Sequence, residues 1–66
     1  MDYGREIRAE RSRRRISQQE LARRLGLWRG TLVDIERGRV PITAEQFARI
    51  LRALEEPEEN LTVSRQ

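Results

Sequence analysis

The sequence predicts an all-α domain of four to five short helices, and three observations carry that reading. Apolar residues recur at helical spacing and rarely in the alternation a strand needs. Two pairs, Ser17 with Glu20 and Thr43 with Gln46, match the capping box, in which each residue's side chain satisfies the other's free backbone N–H. Gly26 and Gly38 fall where helical runs stop, and glycine enters the left-handed conformation that ends a helix cheaply.

The first helix is expected from about Tyr3 to Arg14, with Tyr3, Ile7 and Arg11 on one stripe. Its closing arginines suit the negative end of a helix dipole. Ser17 caps a second helix whose Leu21, Ala22 and Leu25 share a face, and Gly26 ends it. A third helix, from about Trp28 to Arg37, turns Leu32 and Ile35 inward and stops at Gly38. Pro41 keeps the loop from Gly38 to Ile42 out of helix. Thr43 and Gln46 then open a fourth helix to about Leu54, in which Phe47, Ile50, Leu51 and Leu54 follow the i, i+3, i+4, i+7 spacing. Pro57, ahead of Glu58 and Glu59, predicts a short fifth turn carrying Leu61. Residues 1–61 are expected to form one domain and residues 62–66 a flexible tail.

Composition excludes several functions. With no cysteine there is neither disulfide nor thiolate metal site, and with no histidine the commonest general base and metal ligand are missing. No catalytic residue, metal or cofactor is therefore expected, and an enzyme is the remotest reading. No apolar run approaches the roughly 20 residues of a membrane span, so no membrane partner is expected. The net charge is +3, and reading the rows shows every basic residue to be arginine. Arg11, Arg13, Arg14 and Arg15 crowd one end while Glu55, Glu56, Glu58 and Glu59 crowd the other, which predicts one basic face. Arginine's planar fork fits phosphate and guanine edges, although a GC-rich genome would write the same residues.

Two helices joined by a short glycine turn form a helix-turn-helix. Ala22 sits where they cross, Gly26 makes the turn, and Leu21, Leu25, Leu27, Leu32 and Ile35 hold the pair against the rest. With those residues in place, "SQQELARRLGL" and "IERGR" resemble the Cro/repressor (XRE-type) helix-turn-helix family of bacteria and phages, and the likeness runs from Ile7 to Leu54. The resemblance implies a lambda-repressor-like domain and a cytoplasmic, sequence-specific transcriptional regulator of double-stranded DNA. It further implies a repressor or autoregulator acting as a dimer, with helix 3 in the major groove and helix 2 across the backbone. Arg11 lies on the inward stripe of helix 1, where a charge needs a carboxylate, and Glu36 borders the inward face of helix 3. The resemblance pairs these two positions in a structural salt bridge.

On a helical wheel Arg29, Gly30, Val33, Asp34 and Arg37 project away from Leu32 and Ile35. Arg29 is placed to grip guanine, Gly30 to let the backbone approach, and Val33 to meet a thymine methyl. The resemblance puts Gln18 on a phosphate and sometimes on a base. Arg37 and Arg39 should reach phosphates, with Thr31 adding a hydroxyl contact. Arg13 to Arg15 form either a solvated helix end or a further DNA contact.

Two residues depart from the family's wording. Trp28 stands where it has serine or threonine, and an indole cannot accept the bonds a cap accepts. Trp28 also falls on the side of Leu32 and Ile35, so it either packs on the core or lies on DNA. Asp34 repels phosphate unless it accepts a cytosine amine or pairs with Arg37. The expected partners are a double-stranded DNA operator and a weak homodimer completed on DNA, with Leu54, Leu61 and Val63 left for pairing. The second reading is a protein-interaction module of the same fold, gripping a protein through the helix 3 face or the Leu54/Leu61 end.

Overall fold

The computed structural model describes residues 2–56, which form four helices and no strand: α1 (Tyr3–Arg13), α2 (Gln18–Leu25), α3 (Arg29–Glu36) and α4 (Ala44–Glu55). All four expected helices are present. The fifth turn at Pro57, Leu61, Val63 and the tail lie outside the described residues.

Three of the helices start on a side-chain cap. Asp2 Oδ1 accepts from the Arg5 N–H at 3.1 Å and Ser17 Oγ from the Glu20 N–H at 3.0 Å. At α4 the capping box is complete: Thr43 Oγ1 accepts from the Gln46 N–H at 3.0 Å, and Gln46 Oε1 from the Thr43 N–H at 2.8 Å. At α2 only half of the expected box forms. The Glu20 carboxylate turns to Arg23 and Arg24, one turn further on, because a charge-assisted bond outweighs one to a neutral amide.

Helices α1, α2 and α3 end in one motif, a 6→1 bond enclosing a 5→2 bond. At α2 these are Leu27 N–H to Ala22 O (2.9 Å) and Gly26 N–H to Arg23 O (3.2 Å), with Gly26 left-handed at φ 70°. At α3 they are Arg39 N–H to Asp34 O (2.9 Å) and Gly38 N–H to Ile35 O (3.1 Å). The α1 ending repeats the geometry without a glycine. Ile16 N–H reaches Arg11 O (3.1 Å), Arg15 N–H reaches Ser12 O (3.0 Å), and Arg15 takes φ 57°. That conformation costs an L-residue roughly 1–2 kcal/mol.

The core is Ile7, Leu21, Ala22, Leu32, Ile35, Ile50 and Leu54, flanked by Ile16, Leu25, Ile42, Phe47, Leu51 and Ala53. Tyr3 stacks on Phe47 at 4.6 Å and joins the start of α1 to α4. Two expectations need correction. Leu54, assigned to pairing between copies, is 3% exposed and belongs to the core. It continues the Ile50 stripe, and Arg24 seals that end of α4: its Nη1 donates to Ala53 O (3.0 Å) and Glu56 O (3.2 Å). Leu27, expected to help hold the helix pair against the rest, is exposed and stands outside the core. Gly4 was not anticipated. A Cβ there would stand 2.3 Å from Ile35 O and 2.8 Å from Glu36 O, so α1 crosses the end of α3 backbone to backbone. No helix among the described residues is long and apolar enough to cross a membrane.

Candidate nucleic-acid interface

The helix-turn-helix is fixed to α1 at one polar point. Arg11 Nε donates to Glu36 Oε2 at 2.8 Å and Arg11 Nη2 to Glu36 Oε1 at 3.1 Å, the bidentate pairing the resemblance implied. The Glu36 side chain is 2% exposed and that of Arg11 13%. Arg11 Nη1 also donates to Ile16 O at 2.9 Å, and Gln18 Nε2 to Glu36 Oε1 at 3.2 Å. One carboxylate therefore ties α1, α2 and α3 together. Gln18 is half-buried here, and its amide keeps a second N–H for an acceptor outside the protein.

Around this point Arg8, Arg11, Ser17, Gln18, Glu36 and Arg37 line one polar concavity. Arg8 escaped the sequence reading. Its signal was the position three residues before Arg11, which puts it on the neighbouring stripe of α1. The concavity opens beside the N-terminus of α2, whose backbone N–H groups favour anions.

The outer face of α3 is framed by arginines. Arg29 and Gly30 are exposed at its start, Val33 and Asp34 half-buried in its middle, and Arg37 and Arg39 exposed just beyond its end. Eight residues of helix separate the two ends by about 12 Å. Thr31 stands apart from this face. It lines an apolar groove with Leu25, Leu27, Ile35, Val40 and Ile42.

Two departures resolve. Trp28 is the N-cap of α3, in extended backbone at φ −68° and ψ 143°, with no side-chain bond to the helix. It is 86% exposed, so it does not pack on the core. A cap residue precedes the first helical turn, and its side chain does not follow the Leu32/Ile35 stripe. Asp34 pairs with Arg39 at 3.8 Å, not with Arg37. The 6→1 bond that closes α3 folds Arg39 back over Asp34, whereas Arg37 caps the helix.

The arginines at the end of α1 divide. Arg13 and Arg14 share the single carboxylate of Glu10 on their own helix, which offsets one of their two charges. Arg15 is exposed in the turn. The Glu20 carboxyl is held below the usual carboxylate range, first by its hydrogen bond from Arg23 and then by that from Arg24. Among the described residues no group of His, Cys, Asp or Glu is placed to hold a metal ion.

A family model described as a helix-turn-helix domain matches residues 2–62, a span that includes all four helices. Comparison with curated proteins and with solved structures gives no match.

Proposed function

Because the chain belongs to the XRE/Cro-like family of DNA-binding helix-turn-helix domains, we propose that it is a sequence-specific transcriptional regulator, a repressor or autoregulator. Its α3 enters the major groove of duplex DNA while α2 crosses the backbone above it. The observation that carries this reading is the outer face of α3. It lies outside the packed core, with arginine at each end and the short side chains of Val33 and Asp34 between them.

Each position follows from its chemistry. Arg29, at the helix start that points into the groove, takes guanine by two hydrogen bonds. Gly30 lets the backbone approach, and Val33 meets a thymine methyl. Arg37 and Arg39 bind phosphates, where they position the domain without reading sequence. Gln18 and Arg8 complete a backbone clamp at the N-terminus of α2. Asp34 leaves its loose contact with Arg39 and accepts a cytosine amine once a phosphate takes Arg39.

One such unit reads only a few base pairs. Two copies on a two-fold operator double the site and set half-sites about 34–36 Å apart. The pairing is weak and DNA completes it. Selection of duplexes from a random pool tests the function: one enriched, two-fold motif is expected. Failure to enrich any motif would favour a protein partner on the same face. Sedimentation on the selected duplex should give a two-to-one complex, and a one-to-one complex would end the dimer model.

A further inference from the structure

Three local choices at the start of α3 work against that helix. Trp28 occupies the N-cap yet gives nothing to the free N–H groups, which Ser17 and Thr43 satisfy at α2 and α4. Indole is a donor only, so no rotamer could change this. Arg29 then puts a positive charge at the positive end of the helix dipole, and the first turn holds no acidic residue. Gly30 follows, the poorest helix former after proline. The indole itself is 86% exposed, the most exposed large apolar side chain among the described residues. At the starts of the other three helices local and global preferences agree, since each carries a side-chain cap. A cluster of local violations in such a sequence marks a functional site.

We propose that Trp28 exchanges helix capping for DNA affinity, its indole covering the deoxyribose edge and a thymine methyl at the wall of the major groove. This rests on the DNA-binding reading of α3 and names the surface that its N-cap residue takes. The extended backbone at Trp28 carries the side chain beyond the helix start, next to the base-reading position Arg29. Thymine methyls and sugar edges are the apolar surfaces a groove offers, and the indole N–H can donate to a phosphate beside them.

Charge selects DNA over a second copy of the chain. Trp28 shares a shallow concavity with Gln19, Ala22, Arg23, Leu27 and Arg29. Arg29 has no ion-pair partner among the described residues. Two such patches face to face would oppose guanidinium to guanidinium, whereas a polyanion meets them with opposite charge.

Trp28 is the only tryptophan in the sequence, so its emission reports its own surroundings. The probe is the duplex recovered by selection. On titration with it, emission should change and acrylamide quenching should fall severalfold, while raising the protein concentration alone should change neither. Trp28→Thr restores a cap and should raise the thermal midpoint by about 4–8 °C, the shift expected of about one unit of capping energy in a domain this small. The same variant should bind the duplex about tenfold more weakly. Trp28→Phe should keep most of the affinity with no gain in midpoint. A bound complex with an indole still open to acrylamide, or a Trp28→Thr variant that binds as tightly, would overturn the proposal and leave the DNA-binding reading intact. Emission that shifts with protein concentration alone would overturn it in favour of a second copy. An unraised midpoint in Trp28→Thr would refute the exchange. Wild-type protein that binds no duplex would remove the DNA-binding reading and this proposal together.

Discussion

Replacing Glu36 with Gln keeps the shape of the side chain while removing the charge on which three helices converge. The carboxylate accepts from Arg11 Nε, Arg11 Nη2 and Gln18 Nε2 at 2.8, 3.1 and 3.2 Å. An amide offers one oxygen and turns its own donor toward at least one of these donors, which strands it. Breaking a buried ion pair from one side costs about 3–5 kcal/mol. Arg11 keeps its bond to Ile16 O and is 13% exposed, which places Glu36→Gln near the lower figure. The reverse change, Arg11→Met, leaves a carboxylate only 2% exposed with the Gln18 donor alone, which places it near the upper figure. A domain of 66 residues has about 3–10 kcal/mol in total, so either loss is a large fraction of it. The double change, Arg11→Met with Glu36→Leu, should recover much of the stability because no charge remains buried. The assay is urea denaturation followed by far-ultraviolet circular dichroism. A stabilising osmolyte brings the weakest variant into range. Coupling near zero in the cycle of Arg11→Met, Glu36→Leu and their double, or an Arg11→Met variant no weaker than Glu36→Gln, would refute the reasoning.

Gly4→Ala gains helix propensity but drives a methyl into the carbonyls of Ile35 and Glu36, so a net loss of about 1–3 kcal/mol is expected in thermal denaturation. An unchanged midpoint would mean that α1 and α3 do not approach so closely. Glu20 has its folded-state pKa lowered, chiefly by Arg23 and next by Arg24, so its contribution is full above the ordinary glutamate range. It is lost as pH falls through the lowered value. The stability gap between wild type and Glu20→Gln should therefore be open at neutral pH and close on acidification, and a gap that persists at low pH would contradict the pairing. Arg39→Ala should weaken binding to all duplexes alike and flatten the log–log salt dependence by about one unit, near 0.9 per phosphate. A change in sequence preference at constant salt slope would take Arg39 off the phosphate.

The fold was legible where one residue type has one strong local use. Gly26, Ser17 and the Thr43–Gln46 pair each settle a helix end within their own few residues, and all three stand where expected. Arg11 and Glu36 were legible for a different reason: a charge on an apolar stripe demands a carboxylate, and the family resemblance pairs these two positions. What escaped the reading depends on tertiary approach. Nothing local says that α1 crosses the end of α3, so Gly4 looked unremarkable. Nothing local says that Arg24 would find the last carbonyls of α4 and close Leu54 into the core.

The candidate site divides in the same way. The outward set of α3 follows from helical period alone, and Arg29, Gly30, Val33 and Asp34 lie on it. Side-chain direction at its ends does not follow from period. Trp28 is one residue too early to obey the helix, and the end of α3 folds Arg39 back to the place where period alone would put Arg37. Arg15 hid for a related reason, since it takes a conformation in which glycine is the expected residue.

The central claim is that α3 reads bases with its outer face, and Arg29 is the residue on which that rests most heavily. The direct measurement is the affinity of wild type and Arg29→Ala, at one fixed salt concentration, for the selected operator and for its single-base-pair variants. The account predicts that wild type discriminates at one guanine-containing pair of each half-site by about 1–3 kcal/mol. Arg29→Ala should lose the preference there while the other positions keep theirs. Uniform weakening of Arg29→Ala across every variant, with the preference at that pair preserved, would contradict it.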